Sequence, residues 1–346
     1  MRRSRSDSRQ WPDARRAARC GGVVLIASTA LAGLGLRSAG AQVPFSFFEA
    51  SAEADVVYLA GDAPGLLPIS PVLEIGVGYA KSTMAVAQNH AVASPLYPGG
   101  VITGLPSILQ LVGVKVPFGI KLRDNFYLNW GESFFPDGGA SKAAPLEGSF
   151  FGLVSFKGGT GEASTASDAA NSAASLDAGE IAGFFRAEGI TSSATTGVEN
   201  GVVVAKATTR AERLVIGDSI VLEGVTATAT DASNAQPSGE VLVDHCRAGG
   251  ERCVLTREGL RFPDRADPRD PVIDLGFAVL GKLGAEVRLG APDITETGAD
   301  VAALEAVVSV PLEKPRPGVP LQEAQIILQV GRARASAAAS GPIKIV

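Results

Sequence analysis

Apolar and polar residues alternate along most of this chain in short runs of small or β-branched residues, bounded by Gly, Pro, Asn or Asp. A period of two with such boundaries is the mark of antiparallel strands that bury one face. Residues 50–59 and 74–80 show it most plainly. Residues 83–87 and 91–94 flank Gln88-Asn89-His90, which predicts a hairpin with those three residues as its turn. Residues 133–139, with Pro136 and Gly138-Gly139, predict a second turn. Further strands are expected at 285–289, 302–310 and 323–330.

Three stretches depart from simple alternation. Residues 161–178 are almost all Ala, Ser, Thr, Asp and Gly, which reads as one more closely packed strand of small side chains. Downstream, Glu188-Gly189-Ile190-Thr191 recurs as Glu223-Gly224-Val225-Thr226, a separation of 35 residues. A duplicated hairpin with Thr and Ala on one face of its strands accounts for that repeat. Val272–Leu283, opened by Pro271 and stopped by Gly284, is the clearest helix, and 102–111 is a second short one. The expected fold is therefore mainly β, with antiparallel sheets in a sandwich, a barrel-like form or an irregular stack, and one or two short helices.

The first 41 residues follow another pattern. Seven arginines up to Arg19 precede an apolar run from Cys20 to Leu36, and Ala39-Gly40-Ala41 ends the segment. Positive charge, an apolar core and an A-x-A site are the three parts of a cleavable export signal. The run is shorter than the ~20 apolar residues that a span needs, and it contains four glycines. A single exported domain from residue 42 to 346 is expected; a subdivision near 140–160 is the other reading.

Cleavage changes the charge. Removing eight arginines and two aspartates from 31 basic and 36 acidic residues leaves 23 and 34, a net charge near −11. Such a surface repels phosphate backbones, which argues against nucleic-acid binding. No later stretch is long enough for a membrane-spanning helix.

Cys246 and Cys253 are the two cysteines left, on either side of Gly249-Gly250. In an oxidising compartment this spacing reads as a disulfide across a hairpin tip. A metal site with His245, or a redox pair, are the alternatives.

His90 and His245 are the only histidines, and no G-x-S-x-G elbow accompanies either, so both read as solvated loop residues. Asp264, Asp267 and Asp270 recur every third residue and resemble a calcium loop, but Arg265, Arg269 and Pro268 favour a solvated acidic loop. No catalytic, cofactor or metal site is predicted.

Residues 63–71, Tyr79-Ala80-Lys81-Ser82, residues 93–99 and Gly331-Arg332-Ala333-Arg334 together resemble a group of uncharacterised exported β-rich proteins of actinobacteria. The Ala/Thr-rich middle is also similar to the choice-of-anchor families. The resemblance implies export and β architecture, and carries no catalytic residue. The expected role is binding or structure in the cell envelope, through an envelope component. A carrier holding an apolar ligand in a β cavity is the alternative.

Overall fold

Small and β-branched residues favour extended backbone, and every described element is a strand. The computed structural model describes residues 47–62, 73–86, 88–97, 99, 130–150, 154–181, 185–216, 220–256, 259–264, 286–288, 292–311 and 323–340. In chain order the strands are β1 (Phe48–Asp62), β2 (Leu73–Ala85), β3 (Asn89–Tyr97) and β4 (Gly131–Phe135). Then come β5 (Ala140–Phe150), β6 (Val154–Thr165), β7 (Ala169–Ile181), β8 (Phe185–Glu199), β9 (Val202–Ile216) and β10 (Ile220–Ala232). The short strands β11 (Ser238–Leu242), β12 (His245–Ala248), β13 (Glu251–Thr256) and β14 (Gly259–Arg261) follow. The chain ends with β15 (Glu286–Arg288), β16 (Asp293–Thr295), β17 (Gly298–Pro311) and β18 (Glu323–Ala339).

These strands make two antiparallel sheets packed face to face. The eight-stranded sheet has the order β15-β17-β18-β1-β2-β3-β4, with β16 also on β17. The ten-stranded sheet runs β14-β13-β12-β10-β9-β8-β7-β6-β5, with β11 also on β10. The chain winds up one sheet, crosses between β4 and β5, and returns so that β18 pairs with β1 over nearly its whole length. The sheets stay separate and do not close into a barrel.

The long strands β8, β9 and β10 each reverse their inside-outside phase once, along one transverse line. On β8 residues 185 and 187 face inward, then 190, 192, 194 and 196. On β9 the reversal falls at 212–213, and on β10 at 223–224. Gly158, Gly189 and Gly224 mark the line on alternate strands of one sheet, and Gly78 and Gly331 on the other, with φ between 61° and 67°. A left-handed residue turns the next side chain to the opposite face, and only glycine adopts it at little cost. Pairing registers are the same on both sides of the line, as in Glu188↔Arg213 and Thr191↔Arg210, so facing strands reverse together.

The line divides the core. On one side the interior is mostly alanine, including Ala50, Ala52 and Ala54 of β1, Ala205 and Ala207 of β9 and Ala333 of β18. On the other it is Leu176, Ile190, Leu214, Ile216, Leu222 and Leu328. Sheets packed through alanine lie closer than the usual ~10 Å, so short polar side chains reach across. Ser82 Oγ of β2 donates to Ala194 O of β8 at 2.7 Å and lies 3.1 Å from Ser172 Oγ of β7. Asn89 Nδ2 donates to Ala166 O at 2.6 Å, and Asp231 Oδ2 accepts from the backbone N–H of Ala337 at 2.7 Å.

Several sequence expectations are corrected. The β2–β3 turn closes between Ala85 and Gln88, and Asn89 and His90 already belong to β3. Asn89 is held in the strand by its bond across to Ala166. Residues 161–178 span two strands, because the Ala166 N–H bonds Ala169 O and turns β6 into β7. The 35-residue repeat is not a duplicated hairpin with Thr and Ala sharing a face. It places the glycine kinks of β8 and β10 two strands apart, with Ala227 and Ala229 inside and Thr226, Thr228 and Thr230 on the other face. The helix expected at 272–283 and that at 102–111 lie outside the described residues.

Candidate functional site

The kink on the eight-stranded sheet gathers charge on its outward side. Because Ala54 and Val56 face the core, Glu53 and Asp55 of β1 face away from it. Gly331 turns β18 so that Arg332 also points outward, directly opposite Asp55 in the register. Arg332 Nη2 lies 2.8 Å from Glu53 Oε1, and Nη1 donates to Asp55 Oδ2 at 3.1 Å. The guanidinium sits 3.7 Å from the Tyr58 ring centroid. Lys81 Nζ of β2 reaches the other Glu53 oxygen at 3.1 Å. Tyr79 stacks on Tyr97 beside them, with centroids 4.1 Å apart.

Although they face away from the sandwich interior, Asp55, Tyr79 and Arg332 are almost completely buried. Burial raises the Glu53 carboxyl, but Arg332 and Lys81 outweigh it and hold the group below its ordinary value. Burial also raises Asp55, and there Arg332 offsets only part of the effect, so Asp55 lies well above the usual aspartate range. One guanidinium shared by two buried carboxyls cannot keep both fully ionised. Among the described residues Asp55 Oδ1 has no hydrogen-bond partner. Burial likewise pushes the Tyr58 phenol up to about 12. Two carboxyls with separated pKa values fit an acid-base pair on electrostatics alone. Asp55 and Arg332 are buried, and Lys81 and Arg332 are each ion-paired within the cluster. The cluster acts as a clamp joining β1, β2 and β18.

Nothing in composition singled out Glu53, Asp55, Lys81 or Arg332 as a group. The usable signal was Asp55 inside the apolar run Ala54-Asp55-Val56-Val57, and an arginine directly after Gly331. What sequence cannot supply is that residues 55 and 332 are strand partners.

The residues singled out by sequence lie apart from this cluster. His90 is a strand residue and not a solvated loop histidine; its Nε2 is 3.1 Å from Glu132 Oε1, and its ring stacks on Phe134 at 4.2 Å. Trp130 Nε1 donates to the other Glu132 oxygen at 3.3 Å. His245 is exposed at the start of β12 on the other sheet. Next to it Cys246 and Cys253 are cross-strand partners of the β12–β13 hairpin and form a disulfide, with Cα atoms 4.9 Å apart. Both cysteines are buried in the leucine-rich core. Asp264 is exposed, and Asp267 and Asp270 lie outside the described residues. Among the described residues no three His, Cys, Asp or Glu side chains converge on a metal position. Among them, too, no helix is long and apolar enough to cross a membrane. No known protein family, curated protein or solved structure matches this chain.

Proposed function

We propose that this chain is an exported protein of the cell envelope that works by binding or as a structural element, without catalysis. The observation that carries the reading is direct contact between the sheets. Ser82, Ser172 and Ala194 form one hydrogen-bonded knot across the interior, so the sheets touch directly there. A carrier of apolar molecules would need its sheets held apart around a cavity of several hundred Å3, on the order of ~300 or more. A sandwich filled in this way has its outer faces left for partners.

The placement of the reactive groups supports the same reading. His90 and His245 sit on different sheets, and the carboxyls with shifted proton affinity are buried with cations. The leader pattern of residues 1–41 and the Cys246–Cys253 disulfide both suit an oxidising, extracytoplasmic setting. Mass spectrometry of the protein purified from its native envelope fraction, without added ligand, tests all of this together. The expected result is an N-terminus near Gln42, an intact disulfide and no stoichiometric lipid. An N-terminus at Met1 overturns export, and a lipid retained one-to-one overturns binding through the outer faces in favour of the carrier.

A further inference from the structure

The hairpin joining β8 to β9 turns in two residues, Asn200 and Gly201, with Glu199 and Val202 paired on either side. Asn200 has φ 51° and Gly201 φ 81°, so both lie in the left-handed region that a type I′ turn demands. Asparagine and glycine adopt it at least cost, and the pair reads first as ordinary turn chemistry. The same pair carries a reaction. The side-chain carbonyl carbon of an asparagine is open to attack by the backbone nitrogen of the next residue, and a following glycine leaves that nitrogen unshielded because it has no Cβ.

The surroundings of this asparagine differ from those of the others among the described residues. Asn89 has its Nδ2 bonded to Ala166 O. Asn171 and Ser172 lie inside β7, which is paired on both sides. Asn234 is exposed, but the N–H of the next residue, Ala235, donates to Ala232 O at 3.0 Å. Asn200 and Gly201 are both exposed, and a Cβ built on Gly201 would meet nothing within 4 Å. In a two-residue loop the closing hydrogen bonds join the flanking residues, which leaves the N–H of the second turn residue outside the ladder. The left-handed backbone at Asn200 has to rotate before Cγ comes within reach of that nitrogen. The hairpin therefore slows the attack relative to a free peptide, and no packing at the tip blocks it.

We infer that Asn200 is a site of spontaneous modification, at which the folded chain converts to aspartate and isoaspartate. Gly201 N gives its proton to the solvent and bonds to Asn200 Cγ, and the Cγ–Nδ2 bond breaks as ammonia leaves. Water then opens the five-membered imide at either carbonyl. Opening at the side-chain carbonyl leaves the backbone intact as aspartate; opening at the main-chain carbonyl routes the backbone through the side chain as isoaspartate. One water is consumed and one ammonia is released. Either product sets a new carboxylate beside Glu199, and isoaspartate adds a methylene to the loop, so the tip of the β8–β9 ladder loosens.

The inference is independent of the proposed function. To test it, the purified full chain is held in mildly alkaline buffer and digested with trypsin at intervals. Cleavage after Arg186 and Lys206 releases residues 187–206, in which Asn200 is the only side-chain amide. A growing share of this peptide should become heavier by about 1 Da, in two chromatographic forms. Peptides bearing Asn171 and Asn234 should stay unchanged, and a synthetic 187–206 peptide should convert faster than the folded chain. Gly201→Ala should slow the gain severalfold. Should that variant fail to fold by circular dichroism, Asn200→Gln takes its place and should show no gain, because its longer side chain would have to close a six-membered ring. The inference is overturned if the folded chain shows no gain while the synthetic peptide converts, if Asn234 converts as fast, or if the variant gains mass at the parent rate.

Discussion

Arg332 illustrates how one residue can hold two protonation states in place. The Asp55 carboxyl keeps its proton to higher pH in the folded chain than in the unfolded one, where its ordinary value is 3.8. Folding therefore takes up a proton, and the Asp55 contribution falls as pH rises from that value through the raised folded one. Glu53 acts in the opposite sense: its contribution is present above the ordinary 4.5 and is lost as pH falls through the lowered folded value. Asp55→Asn keeps the shape and removes the titration. Chemical denaturation at about pH 5 and about pH 8 should show the parent losing stability between them and the variant losing less, each unit of pKa separation being about 1.4 kcal/mol. An equal loss in both proteins would show that Asp55 titrates normally. Arg332→Met leaves two buried carboxyls without their cation and should cost about 3–5 kcal/mol in the same measurement.

For the strands, the decisive feature is the glycine line, because it lets each one bury alanine in one half and leucine in the other without losing register. At three of the kinks an acidic side chain lies across the glycine: Asp177 of β7 at Gly158, Glu212 of β9 at Gly189, and Asp244, between β11 and β12, at Gly224. A Cβ added at Gly189 would come within 2.4 Å of Glu212 Cγ, and one at Gly224 within 2.0 Å of Asp244 Oδ2. Gly189→Ala should cost about 1–2 kcal/mol for the left-handed backbone, with a further penalty for displacing Glu212. Gly201, with φ 81° and nothing near its Cβ position, provides the comparison. Gly201→Ala should show the backbone cost alone, and Glu212→Ala should recover only the extra part of the Gly189→Ala loss in a double-mutant cycle. Equal costs at the two glycines would remove the packing role assigned to Glu212.

At the scale of the molecule the first and last described strands meet in the middle of a sheet. Strand β18 lies between β17 and β1, and Asp55 pairs with Arg332 across 277 residues of sequence. Contacts so distant must form late, which predicts slow folding. Ending the chain before Glu323 should abolish the cooperative unfolding transition, since β1 and β17 would each lose their longest partner. A truncated chain that still melts cooperatively would mean that the ten-stranded sheet folds by itself.

Strand positions such as 74–80 and 302–310 were readable because runs of small, apolar and β-branched residues favour extended backbone locally. The hairpin across Cys246 and Cys253 was readable because both partners and their turn lie within a few residues. The phase reversals were missed, although the recurring Glu-Gly-Ile/Val-Thr unit was their trace. A repeat in sequence says that two strands do the same thing, not which face each residue takes. The amino-acid order alone thus determined that this chain makes antiparallel strands with small residues at close sheet contacts, and where one disulfide forms. The tertiary structure decided that alternate strands kink in line and that Arg332 lies on Asp55 and Glu53. Each of these depends on which strands become neighbours, and neighbours far apart in sequence are chosen by the packing of the whole interior.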